Sequence, residues 1–284
     1  MDRFSRLNPK VTLLFFLAEI VLVIAVFNPV LTAVSFIAAC IYKIMLDNRN
    51  GFMYILKFAL PLIFFVMLFN FIFSHYGATV LFELRMMSFT LESLFYGFAQ
   101  GLMLASVLLW FNLYSQVITS ERFLSVFGRF APNAAMIFSM VLSFIPRLKK
   151  NAAEIDEARI FMNTDESKLK KSISNFSALI TMTLEESIET ADSMKARGFN
   201  EKRTVYSKYR FSAADLIMLI FIVVSAVLVI VFKAAGGLAF VFEPVITMGK
   251  LSAVAVIAYA LLAFLPVIIN FGEGVRWYYL KQKA

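Results

Sequence analysis

The 284-residue chain has one cysteine, one histidine and little charge. Cys40 has no partner thiol, which excludes an internal disulfide, and no histidine or second cysteine lies beside it, which excludes a thiolate metal site. His75 stands alone, so neither HExxH nor any paired-histidine zinc site is possible within the chain. It reads as an ordinary interfacial residue in a connection between apolar runs. No GxxxxGK[ST] phosphate loop occurs, so ATP hydrolysis has to come from another protein. Nothing here implies a cofactor, a resident metal, a catalytic group or a nucleic-acid partner. Charged residues make up 16% of the chain and hydrophobic residues 61%. That balance lies outside the range of soluble domains and identifies an integral membrane protein, which is expected to be all-α.

A spanning helix needs about 20 apolar residues. Such runs fall at about 11 to 27, 29 to 46, 52 to 74 and 97 to 118, and again at 212 to 233 and 247 to 270. The sequence therefore predicts about six transmembrane helices. Asn28 and Pro29 break the first run from the second and leave room only for a tight hairpin. The basic start MDRFSRLNPK has no small-residue cleavage site after it, so the first helix is expected to be retained. The lipobox-like IAAC at Cys40 is followed by more apolar residues, and lipidation there is not expected.

Basic residues in short flanks mark the cytoplasmic side. Arg3, Arg6 and Lys10 precede the first span, Arg49 and Lys57 flank the second turn, and Arg276, Lys281 and Lys283 follow the last. With six spans all three groups share one side. The connections at about 75 to 96 and 234 to 246 are poor in basic residues: the first holds only Arg85 and the second none, with Lys233 at its edge. Both termini are thus predicted to be cytoplasmic.

The chain reads as a four-span block over 1–118, a charged insert over 119–211 and a two-span block with a tail over 212–284. The insert holds 15 of the 27 lysines and arginines and 11 of the 19 acids. Thr119, Ser120 and Glu121 give an N-terminal helix signal, and Gly128 and Pro132 end that short helix. Beyond Pro132, Ile137, Val141, Phe144, Leu148, Ala152 and Ile155 recur every three or four residues, with a kink expected at Pro146. From Asp165 to Gly198 the same spacing links Leu169, Ile173, Phe176, Ile180, Leu184, Ile188, Ala191 and Met194. The two apolar faces are expected to pack on each other at the membrane surface. The alternative of a seventh span over 123 to 145 conflicts with Gly128, Arg129 and Pro132 inside it and with the parity of the basic clusters.

The second amphipathic helix ends in SMKARGF, in which Lys195 and Arg197 complement the helix dipole and Gly198 supplies a left-handed cap. The first ends in EIDEAR, which brings a second Ala-Arg pair, Ala158 and Arg159, to a second helix terminus. With these features the chain resembles the transmembrane coupling subunit, or T component, of energy-coupling factor transporters over nearly its whole length. RLNPKVTLL at 6–14 is similar to that family's opening Leu-Asp-Pro-Arg-Thr-Lys stretch, with Asn8 in place of the aspartate. SMVLSFIPRLKKNAAEIDEAR at 139–159 resembles the helix that leads to the first Ala-Arg-Gly motif. Ala196, Arg197 and Gly198 match the second motif in full, whereas Ile160 replaces the glycine of the first. The resemblance implies a non-catalytic subunit of an importer for vitamins or transition-metal ions in a prokaryotic cytoplasmic membrane. It further implies that Ala158, Arg159, Ala196, Arg197 and Gly198 bind two ATP-binding-cassette ATPases, and that the coupling helices cradle a small substrate-binding membrane subunit.

One residue points to another class. Glu19 sits near the middle of the first span, where a carboxylate is a functional candidate in its own right. It opens the alternative of a proton- or cation-coupled secondary transporter, with Lys43 on the second span as its candidate partner. No inverted repeat supports that alternative, and it leaves the charged insert without a purpose.

Overall fold

The computed structural model describes residues 4–74, 79–84, 87–128, 131–161, 167–199, 209, 211–238, 240–242, 247–249 and 251–272. Arg3, His75, Arg85, Arg129, Asp165, Arg276, Lys281 and Lys283 lie outside them. The chain divides into two units, Met1–Thr119 with Tyr209–Ala284, and Ser120–Lys208.

The first unit is built on two Asn-Pro steps. Asn8 caps α1 (Pro9–Val26) by accepting the Lys10 N–H at 3.2 Å, and Asn28 caps α2 (Pro29–Asp47) by accepting the Val30 N–H at 3.0 Å. In both, proline occupies the first helical position, where its missing N–H costs no hydrogen bond. The dipeptide that ends one helix thereby starts the next. The third span is compound: α3 (Arg49–Tyr54), a π-helical turn at Ile55–Ala59, and α4 (Leu60–Phe73). The Leu60 N–H reaches back to the Ile55 carbonyl, and Pro61 has no N–H to close the normal turn on Lys57, which accounts for the wide turn. α5 (Leu91–Val117) follows, with Thr90 as its N-cap.

After the second unit come α9 (Ala213–Ala234), α10 (Ala253–Ala263) and α11 (Leu265–Gly272), numbered to leave α6 to α8 for that unit. Among the described residues five helices are long and apolar enough to cross a membrane, and α10 with α11, bent by 53°, make a sixth if the pair is one span. The class is therefore an all-α integral membrane protein. Two details depart from the sequence reading. The expected outer connections carry short antiparallel ladders, Val80–Leu84 with Met87–Thr90 and Phe240–Val241 with Thr247–Met248. The last span starts at Ala253 rather than 247 and is not one straight helix.

The core of this unit gathers on α1. Phe4, Phe15, Phe16, Tyr42 and Trp110 are completely buried and meet edge to face, with Phe4 to Phe15 at 5.1 Å and Phe15 to Trp110 at 5.7 Å. Edge-to-face geometry aligns positive ring edges with negative faces and adds to the burial of the rings. Polar bonds then tie both ends of α1 to α9, to α11 and to the connection that follows α9. The Phe4 N–H donates to Asn270 Oδ1 at 3.3 Å and the Asn8 N–H to Asp215 Oδ1 at 3.4 Å; at the far end, Asn28 Nδ2 donates to the Leu238 carbonyl at 3.2 Å.

The second unit consists of α6 (Ser120–Phe127), α7 (Pro132–Phe161) and α8 (Lys168–Ala196). Gly128 ends α6 and Pro132 opens α7, so the described residues hold no single helix over 123 to 145. α7 remains helical through Pro146.

Candidate functional site

The second motif forms a helix stop. Ala196 is the last residue of α8, Arg197 is its C-cap at φ −83° and ψ 7°, and Gly198 takes a left-handed φ of 72°. The Gly198 N–H bonds the Lys195 carbonyl at 3.0 Å, and the Phe199 N–H bonds the Met194 carbonyl at 3.1 Å. This pair is the Schellman arrangement, which satisfies the last carbonyls of a helix and favours glycine at the left-handed position. Ala196 and Arg197 are exposed. The motif thus sets an arginine on a rigid, capped end next to a residue too small to block access.

The first motif has another backbone context. Ala158 is exposed and Arg159 half-buried, both within the last turn of α7, and the helix continues through Ile160 to Phe161. Replacing glycine by isoleucine removes the left-handed stop, so the helix does not end at the motif. Arg159 Nη2 donates to Ser174 Oγ on α8, Asn175 Nδ2 donates to Asp156 Oδ1, and Arg147 pairs with Glu186 Oε1 at 2.6 Å. As one helix number rises the other falls, so α7 and α8 form an antiparallel hairpin.

It follows that the two arginines lie at opposite ends of that hairpin. Arg159 is level with Ser174, and Arg197 is about 35 Å further along α8 at 1.5 Å per residue. The sequence places both at helix termini, but only the pairing register shows them to be far apart.

That register also corrects an expectation. Ser174, Asn175, Leu179, Thr183, Glu186 and Thr190 of α8, mostly polar and spaced three or four apart, form the flank that carries its links to α7, and Leu179, Ser174 and Glu186 on it are half-buried. The apolar face of α8 is not packed against α7: Leu169 is 77% exposed, Ile173 67%, Leu184 61% and Ile188 66%. On α7, Phe144, Leu148, Ala152 and Ile155 are half-buried as expected, whereas Ile137 and Val141 are exposed.

Lys43 does not pair with Glu19 as the transporter alternative supposes. Its ammonium donates to Asp47 Oδ2 at 2.5 Å and Asn112 Oδ1 at 2.7 Å, and it lies 5.2 Å from the centre of the Tyr54 ring. Gln116 completes the cluster by donating to the same Asp47 oxygen at 2.9 Å. Nothing in the sequence pattern singled out Asn112 or Gln116, though both lie one helical turn apart on α5 and could have been read as one polar edge. Among the described residues no group of three or more His, Cys, Asp or Glu side chains is placed to hold a metal ion.

These features define a multi-pass helical membrane protein with a long charged hairpin between its fourth and fifth spans. The chain belongs to the cobalt transport protein (CbiQ) family, the family of energy-coupling factor T components, whose model matches residues 3–206. The match takes in the first four spans and helices α6 to α8, and α9 to α11 lie beyond it. No individual curated protein matches the chain. The chain is accordingly a membrane component of cobalt-type transport.

Proposed function

We propose that this chain is the coupling subunit of an energy-coupling factor importer in a prokaryotic cytoplasmic membrane, with both termini in the cytoplasm. It hydrolyses no ATP itself. Residues 119–211 transmit the motion of two ATP-binding-cassette ATPases to the spanning blocks at 1–118 and 212–284 and to a separate membrane subunit that binds a vitamin or a transition-metal ion. The observation that carries this reading is the separation of Arg159 and Arg197 by about 35 Å along one hairpin. That distance is too great for one groove and suits two receptors, one at each end. A guanidinium is always charged and offers a planar fork that can hold two acceptors at once, so it suits a joint that must survive cycles of motion. The uncovered apolar stripe of α8 supports a further partner, because apolar surface on that scale marks an interface. In this assignment the stripe is cradle surface for the substrate-binding subunit.

The experiment is co-expression with two ATPases and a substrate-binding subunit, followed by pull-down and uptake. An arginine at a helix end contributes only about 0.3 to 1 kcal/mol to folding through the dipole. Truncating one member of a desolvated charge pair costs about 2 to 5 kcal/mol of binding. Arg197→Glu should therefore leave membrane levels normal and weaken ATPase capture strongly. Arg159→Glu should act less, since Arg159 lacks the capped glycine context. Wild-type capture and uptake in the double variant would return both arginines to a local helix-end role and remove the main support for the proposal.

A further inference from the structure

Glu19 lies within α1 with no exposure, and its surroundings fix the direction of a short hydrogen-bond chain. Trp110 on α5 has only an N–H to give, and gives it to Ser35 Oγ on α2 at 2.8 Å. The Ser35 hydroxyl hydrogen then goes to Glu19 Oε1 at 3.0 Å. The Tyr259 hydroxyl on α10 donates to the same oxygen at 2.8 Å. One carboxyl oxygen therefore accepts twice and gathers α1, α2, α5 and α10 at a single point. Glu19 Oε2 is buried with no hydrogen-bond partner among the described residues. Among the described residues no cation reaches the group: Lys43 is engaged by Asp47 and Asn112, and Lys233 donates to the Ala25 carbonyl at the end of α1. A buried carboxyl that worked through its charge would be met by a cation or by a full set of donors. What this site meets is the capacity of one oxygen to accept.

Tyr259 is itself almost fully buried and sits on the bent sixth span, five residues before the break at Phe264. A two-piece helix has no continuous backbone ladder to hold its course across the break, so its path depends on side-chain contacts. We infer that Glu19 is a positioning residue: Oε1 is the acceptor that fixes the sixth span against α1 through Tyr259, and this role requires neither a charge nor a mobile proton. The assignment is independent of the arginine motifs and of ATPase docking.

The test measures the position of the span directly. Spin labels are placed at the exposed positions Leu17 on α1 and Ile257 on α10, in a Cys40→Ser background, and dipolar spectroscopy reads the distance between them in the full chain in nanodiscs. The parent protein should give one narrow distance peak, and Glu19→Gln, whose amide oxygen accepts in the same place, should retain it. Glu19→Ala and Tyr259→Phe should each lose the narrow peak. If Glu19→Ala does not accumulate, Tyr259→Phe, which removes a single oxygen, decides. A narrow peak in Tyr259→Phe overturns the inference, and so does a Glu19→Gln distribution as broad as that of Glu19→Ala.

Discussion

At Gly97 and Gly101 the backbones of α4 and α5 pass so closely that a side chain has no room. A Cβ at Gly97 would lie 2.7 Å from Asn70 Cβ and 3.1 Å from Met67 Cα, and one at Gly101 would lie 3.0 Å from the Ile63 carbonyl oxygen. In a bilayer, where lipid is as apolar as leucine, such close approach is what holds two helices together. Asn70 Nδ2, which donates to Gln100 Oε1 at 3.2 Å beside this contact, adds a polar tie in the same place. Gly101→Val should force α4 outward and cost about 1 to 3 kcal/mol by overpacking. Thermal unfolding of the purified chain should record that loss, with a smaller one for Gly101→Ala; equal stability of parent and valine variant would show that the two helices do not depend on the approach. The GxxxG spacing was open to reading in the sequence, but which helix it faces was not, because an apolar run carries no mark of its partner. The two Asn-Pro caps were more legible, since a cap is made from residues adjacent in the chain. Glu19 was legible as a candidate, and its real partners Ser35 and Tyr259 were not, because 16 and 240 residues separate them from it.

The helices of the hairpin show how periodicity can be right about an element and silent about its neighbour. The three-and-four spacing correctly marks α7 and α8 as amphipathic, yet the face of α8 that meets α7 is the polar one. The interhelical bonds explain why the pairing is serviceable without being strong: Arg147 is 56% exposed where it meets Glu186, and exposed pairs of this kind contribute only about 0.2 to 1 kcal/mol each. The apolar stripe is then left for something outside the hairpin. Replacing Ile173 and Leu184 together by glutamine should change the stability of the isolated chain by no more than about 0.5 kcal/mol per site, the range for surface positions. In the co-expressed complex the same change should reduce recovery of the membrane partner. Core positions respond differently, since large-to-small changes such as leucine to alanine there cost about 2 to 5 kcal/mol. Chemical denaturation of the variant set against membrane-partner capture separates the two behaviours, and a core-sized loss of stability would mean that the stripe is buried within the chain after all.

At the scale of the whole molecule the open matter is parity, because α10 and α11 could together form one bent crossing or a loop that turns back. The contacts along α1 decide between them. Ser252, just before α10, donates its N–H to the Gly237 carbonyl at 2.9 Å, and the adjoining Leu238 carbonyl is bound by Asn28 at the C-terminal end of α1. Tyr259 meets Glu19 midway along α1, and Asn270 in α11 meets Phe4 at its N-terminal end. The bent pair therefore follows α1 from one end to the other instead of returning to its starting side. Its length agrees: the 11 residues of α10 and the turn and helix to Gly272 give about 30 Å of helix before bending, close to the hydrocarbon thickness. Six crossings would bring the chain back to the side on which it began, and the basic residues Lys10, Arg49 and Lys57 near that side support the cytoplasmic orientation proposed above. The basic flanks of the sequence point to the same parity, and the sequence carries a signal for the bend as well: Pro266, two residues past Phe264, has no N–H to give the Leu262 carbonyl, so the helix breaks just before it. Fusions of a reporter active only in the cytoplasm, one at each terminus, should both be active, and a periplasm-dependent reporter at the same points should be silent at both. Activity at the amino terminus with silence at the carboxyl terminus would mean five crossings and would require α10 and α11 to turn back, against the run of contacts from Asn28 through Glu19 to Phe4.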